Sequence, residues 1–215
     1  DVALPFHELA HPACNLSTGA TPFPPSDRFF DAAEWMRNPA AECRVGLTTK
    51  GFRNRPLKIR EVLFIDTPDF RLYNNALILR RRIPYRDGFP IGDPEIVFKF
   101  RHSDLQIAAE TDVRPQIRGD HRVKFKCQAL PLKERLGGVR LLYSHNVQFP
   151  RSALGIISDD MHNFDFIVQV FPALARVRKN AEEKIEFVNN TVIEEVNQDI
   201  ARLDFGHGLT ANAHV

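Results

Sequence analysis

The sequence predicts a mainly β protein: an antiparallel sheet closed or nearly closed into a barrel, with peripheral helices. Three observations carry that expectation. From about residue 42, apolar and polar residues alternate with a period of two in one run after another. Turn signals such as Asp66-Thr-Pro-Asp69, Arg86-Asp-Gly88 and Arg118-Gly-Asp120 separate several of these runs. Segments with helical spacing are few and short.

Taken in order, residues 1–40 hold six prolines and read as an irregular N-terminal arm packed on the body. Within the arm, Ser26 is placed to cap a helix that carries Phe29, Phe30, Ala33 and Met36 on one face, with Trp35 and Met36 as packing residues. Residues 41–215 then read as one domain. Its first strand is Glu42–Thr48, with Cys43, Val45 and Leu47 opposite Glu42 and Arg44. Further strands are expected at Ile59–Asp66, Ala76–Ile83, Glu95–Arg101, Ile107–Arg114, Arg122–Cys127, Val139–His145, Phe164–Val170 and Lys184–Val188. Leu130–Leu136, ended by Gly137-Gly138, reads as a short helix. Thr191–Ile200 fits either a helix, with Thr191 and Glu194 as a capping box, or a strand.

Composition narrows the classes. A chain of 215 residues buries roughly 70% of its surface on folding, enough for a sizeable core. Its 17 Phe, against 3 Tyr and 1 Trp, argue against a disordered chain. Lys plus Arg is 29 and Asp plus Glu 27, a net charge of +2, without the basic excess of a nucleic-acid-binding domain. No apolar run approaches the roughly 20 residues of a membrane-spanning helix. Neither nucleic acid nor membrane is therefore expected as a partner. Cys14, Cys43 and Cys127 stand far apart, which excludes a disulfide framework and leaves room for one disulfide at most. The acceptor patterns Asn15-Leu-Ser17 and Asn189-Asn190-Thr191, with Asp1 as first residue, lean toward an exported protein.

The polar faces of the expected strands are unusual. Period two places Arg80 with Arg82, then Lys99 with Arg101 opposite Phe98 and Phe100, then Glu110 and Asp112 with Arg114. Near the end, Glu182, Lys184 and Glu186 alternate with Glu183, Ile185 and Phe187. Such faces are usually solvated. Two like charges about 8 Å apart nevertheless repel by about 2 kcal/mol at an effective dielectric near 20. On a concave wall, a polyanion held by Arg and Lys and a divalent cation held by carboxylates would relieve the conflict.

Phe64-Ile-Asp-Thr-Pro-Asp69, Leu72-Tyr73, Ala76-Leu-Ile-Leu-Arg-Arg-Arg82, Ile96-Val-Phe-Lys99 and Glu110-Thr-Asp112 follow one another in that order. This succession resembles the CYTH superfamily, the triphosphate tunnel metalloenzymes, over about 50 residues from Phe64 to Arg114. The resemblance implies an eight-stranded antiparallel tunnel. It also implies metal-dependent binding and hydrolysis of a triphosphate-containing compound, a small phosphorylated anion, with Mg²⁺ or Mn²⁺ as cofactor. On matching positions it implies Arg80, Arg82 and Lys99 as phosphate-binding residues and Glu110 and Asp112 as metal ligands. The strand pattern adds Arg101 and Lys184 to the first set, and Glu186 to the second. The family's first-strand E-x-E-x-K has its nearest match in Glu42-Cys-Arg-Val-Gly46. Glu42 is thus a further metal candidate, while Arg44 and Gly46 replace the second Glu and the Lys.

Other motifs carry less. His7-Glu-Leu-Ala-His11 matches a zinc-protease signature, but Pro5 and Pro12 leave no room for the helix it needs. Ser144 and His145 are adjacent on a strand and face opposite sides, so they form no nucleophile–base pair. Asp204-Phe-Gly206 lacks every other kinase element. Lys124 and Lys126 share a face and could extend the basic wall. Three functional classes remain: a metal-dependent triphosphatase, a non-catalytic anion or polyphosphate-binding module, and a structural or assembly protein on the same scaffold.

Overall fold

A computed structural model describes residues 27–117, 119–154, 162–180 and 182–215, and the side chains from residue 31 onward. The Ser26 cap, the Phe29 and Phe30 side chains, the His7–His11 motif, Cys14 and Arg118 lie outside this set. Strand outweighs helix, 42% against 24%, so the protein is mainly β. The described residues form two compact units, one made of 27–58 with Val196–Val215, the other lying within Ile59–Glu195.

In the first unit, helix α1 (Asp27–Glu42) rests on a three-stranded antiparallel sheet. Its strands are β1 (Gly46–Thr48), β10 (Asp199–Asp204) and β11 (Thr210–His214), in the order β1-β10-β11. The helix face is built of small residues: Ala32 and Ala33 are buried, as are Ile200 and Ala201 on β10. Trp35, expected to pack, is 64% exposed. The helix runs through Glu42, so the expected strand Glu42–Thr48 shortens to three residues. The helix closes when the Val45 amide donates to the Ala40 carbonyl and the Arg44 amide to that of Ala41. Arg44 then sits in the left-handed region at φ 55°, the place a Schellman ending usually gives to glycine. Arg44→Gly is expected to raise stability by about 1 kcal/mol, measured by urea unfolding.

The second unit is an eight-stranded antiparallel sheet curled into a half-barrel. Its strands are β2 (Lys58–Asp66), β3 (Leu77–Arg86), β4 (Phe89–Pro90), β5 (Glu95–His102), β6 (Arg122–Pro131), β7 (Val139–Pro150), β8 (Glu186–Phe187) and the first part of β9 (Ile193–Asn197). The order is β6-β7-β5-β3-β2-β8, with β4 on β3 and β9 on β2. The turn from β3 to β4 places Asp87 at φ 51° and Gly88 at φ 83°, the paired left-handed residues of a tight hairpin.

One face of the sheet makes the core. Ile65, Leu79, Ile96, Phe98, Phe100 and Phe149 all point to it, each buried. Helix α4 (Phe164–Val170) and the 3-10 turn Pro172–Val177 cover them with Phe164, Ile167, Phe171 and Leu174. The Phe98 and Phe171 rings meet at 4.6 Å between centroids. Each such side chain contributes roughly 1.5–3 kcal/mol by leaving water. Because successive strand residues face opposite ways, this packing commits the alternate residues to the other face.

The structure corrects three expected elements here. Phe164–Val170 is helix α4, not a strand: the Asn163 side chain accepts from the Phe166 amide, and Phe164, Ile167 and Val170 share one buried helical stripe. Ile107–Arg114 is likewise no strand, since Leu105–Glu110 forms helix α3. The Asp104 carboxylate starts it by accepting from the Gln106 and Ile107 amides. Leu130–Leu136 is not a helix, because β6 pairs with β7 as far as Pro131↔Val139 and the intervening residues close that hairpin. The open segment Thr191–Ile200 resolves into β9 and the start of β10.

Candidate functional site

The Asp66-Thr-Pro-Asp69 motif ends β2 and starts helix α2 (Arg71–Asn74). The buried Asp66 carboxylate accepts from the backbone amides of Thr67 (2.7 Å), Leu72 (2.8 Å) and Tyr73 (3.0 Å). Asp69 accepts from Arg71 Nε (2.9 Å), Lys179 Nζ (2.9 Å) and Thr67 Oγ1 (2.7 Å). These donors, Arg71 first, hold its carboxyl well below the usual range. Arg71 also donates to the Val177 carbonyl (2.9 Å) and pairs with Glu183. All these groups are satisfied within the protein, so the motif is a structural corner.

The face opposite the core is different. Register aligns Ile78 with Lys99, Arg80 with Val97 and Arg82 with Glu95 between β3 and β5. On the other side of β5, Lys99 lies opposite Asn146 and Arg101 opposite Ser144 of β7. Lys124 and Lys126 of β6 then face the same Asn146 and Ser144. Arg80, Arg82, Lys99, Arg101, Lys124 and Lys126 therefore share one surface. All but Lys126 are half-buried.

Among the described residues, carboxylates do not balance them. On this face Glu95 stands opposite Arg82, and Glu195 of β9 pairs with Arg60 of β2 at 3.5 Å. Burial, with crowding by Arg101, Arg80, Lys126 and Arg82, pulls the Lys99 ammonium down to about 7. Burial and the neighbouring Arg82 lower Arg80 to about 10. Burial lowers Arg82 as well, with Glu195 and Glu95 opposing. The Nε atoms of Arg80, Arg82 and Arg101 are buried and have no hydrogen-bond partner among the described residues. An unmet buried donor costs about 1–3 kcal/mol, more when charged. A ligand with several anionic oxygens supplies both the missing acceptors and the missing charge.

The candidate metal ligands are not brought together. Glu110 ends helix α3, exposed, and accepts from Gln106 Nε2 (2.7 Å). Asp112 is held by Arg114 through Nε (2.9 Å), Nη2 (2.7 Å) and the backbone amide (2.9 Å). Those hydrogen bonds lower its carboxyl to about 2. The helix is the reason the two do not share a strand face. Glu42 ends α1 in the first unit. Glu186 and Lys184 are exposed and line a separate cavity of about 490 Å³ with His162, Asn163 and Glu182. Lys184 thus stands apart from Arg80, Arg82, Lys99 and Arg101. Among the described residues no three His, Cys, Asp or Glu side chains converge on a point that could hold a metal. The described side chains thus offer no converging oxygen set of the kind Mg²⁺ or Mn²⁺ takes at close range.

Sequence reasoning missed Arg60, Glu195 and Arg122, which lies opposite Gln148 on the same face of β6, and valued Lys124 and Lys126 too little. No local pattern marks them, because their membership depends on which strands are neighbours. Ser144 does lie on the cationic face, fully buried, while His145 faces the other way and meets the Thr111 carbonyl at 2.9 Å through Nδ1.

Fold and site together define a mainly β half-barrel with a desolvated cationic face. In comparisons with protein-family models and with curated proteins, the chain has no match. Among the described residues no helix is long and apolar enough to cross a membrane.

Proposed function

We propose that the cationic face of the half-barrel binds a small polyanion carrying two or more phosphoryl groups, without hydrolysing it. The observation that supports this reading is that the buried, partnerless Nε atoms of Arg80, Arg82 and Arg101 share a sheet face with the half-buried Lys99. A face used only for assembly would have no need to bury unmatched cations, since burial of a charge is costly unless it is paired. Phosphate chains fit the rows, since each phosphoryl group offers acceptors in the geometry of the arginine fork. The likeness of residues Phe64–Arg114 to the CYTH pattern points to the same ligand class. Hydrolysis in that pattern draws on a divalent cation, and Glu110 and Asp112 are engaged with Gln106 and Arg114 instead.

The test is thermal unfolding with tripolyphosphate, alone and with Mg²⁺ or Mn²⁺, with released phosphate followed in the same samples. At 100 times its dissociation constant the anion is expected to stabilise the native state by about 2.7 kcal/mol, with or without metal. Released phosphate is expected to stay at background. Absence of any shift would overturn the anion site. Metal-dependent phosphate release would overturn the non-catalytic reading in favour of a triphosphatase.

A further inference from the structure

We propose that Lys99 is a reactive amine that condenses with a phosphorylated aldehyde or ketone, whose phosphate is held by the surrounding arginines. This deepens the anion-binding reading and rests on it.

A lysine becomes a nucleophile when its ammonium form is disfavoured, by loss of water or by neighbouring cations. Lys99 has both. It is half-buried in the middle of the sheet, with Arg101 two residues along β5, and Arg80 and Arg82 on β3. The groups facing it from β7 are neutral, Asn146 directly opposite and Ser144 beside it. Those from β6 are Lys124 and Lys126, again cationic. The nearest carboxylate in register, Glu95, lies opposite Arg82. Among the described residues no acid is therefore placed to hold the ammonium. Burial and these cations pull the ammonium down to about 7, which makes the free base accessible near neutral pH.

An amine alone would react with any carbonyl compound. What distinguishes this one is the set of partnerless buried guanidinium atoms beside it. They select a carbonyl that also carries a phosphate, and hold it against Nζ, replacing a collision by a local encounter. In the step itself the Nζ lone pair attacks the carbonyl carbon, and the carbonyl oxygen takes up a proton as the nitrogen loses one. The resulting carbinolamine takes one proton from solvent, and its hydroxyl leaves as water while the C=N bond forms, giving the protonated imine. Nothing is oxidised or reduced. The protonated imine carries the charge that the free ammonium bore, and the bound phosphate now offsets it.

The probe is pyridoxal 5′-phosphate, with pyridoxal as the same aldehyde lacking phosphate, followed by borohydride reduction and peptide mapping. One equivalent is expected at Lys99, at least tenfold faster than with pyridoxal, and suppressed by tripolyphosphate. Lys99→Arg keeps the cation and is expected to leave only slow labelling at exposed lysines such as Lys58, Lys179 and Lys184. Labelling scattered over those lysines, or equal rates with both aldehydes, would overturn the proposal. Calorimetric titration with tripolyphosphate separates the two readings. Binding of that anion without selective labelling removes the imine and leaves the anion site, whereas no binding and no selective labelling removes both.

Discussion

Lys99→Met is expected to raise the unfolding midpoint of the free protein while removing most of its response to tripolyphosphate. The gain in stability, roughly 1–3 kcal/mol, comes from replacing a desolvated, unpaired cation by an apolar side chain of similar length. The loss of binding comes from removing a charge at the centre of the cationic rows. A purely structural lysine would give the opposite, a less stable protein with unchanged ligand response, and that result would sink the assignment. The pH dependence supplies an independent check. Lys99 is held near 7 against an ordinary 10.5. Below pH 7 it is charged in native and unfolded chains alike, and its destabilising effect is full. Between about 7 and 10.5 the unfolded chain holds a proton that the native one lacks, so stability rises with pH across that window. Above 10.5 both are neutral and the effect is gone. Anion binding favours the ammonium, so above pH 7 it takes up a proton, and affinity falls as pH rises. In Lys99→Met both slopes are expected to flatten, as measured by denaturant melts and titration calorimetry at several pH values.

Asp66→Ala is expected to cost about 3 kcal/mol, the second large effect. Its carboxylate is buried and accepts from three backbone amides, two of them, Leu72 and Tyr73, in helix α2. Hydrogen bonds to a charged acceptor contribute about 1.5–3 kcal/mol each, and the amides left behind at Leu72 and Thr67 are cut off from water. Asp66→Asn keeps one acceptor oxygen and is expected to lose about half as much. Below its unfolding midpoint the alanine variant should still respond to tripolyphosphate, because Asp66 works on the corner and not on the cationic rows. Near-normal stability with abolished binding would show the aspartate to be a ligand group instead.

These effects differ in how far they are legible from the chain. Alternation in Leu77–Arg82 and Glu95–Arg101 places Leu79 and Phe98 opposite Arg80 and Lys99 without any knowledge of neighbours, because a strand's side chains alternate wherever it lies. The seven residues Phe164–Val170 defeat the same rule. Over so short a span, periods of two and of 3.6 both match, and the helix is decided by the Asn163 cap and by the stripe Phe164, Ile167 and Val170 pressed on the sheet. Ile107–Arg114 fails in the same way through Asp104, and with it goes the strand that would have carried Glu110 and Asp112 to the cations.

The class of fold, the two faces of β3 and β5, and the cationic character of one of them are legible in the chain alone. Those follow from local geometry and composition. Tertiary structure alone decided that Lys124, Lys126, Ser144 and Asn146 stand beside Lys99, that Lys184 and Glu186 stand apart from it, and that no carboxylate set converges among the described residues. The physical reason is that charge balance and desolvation depend on strand order and register, which link residues far apart in the chain.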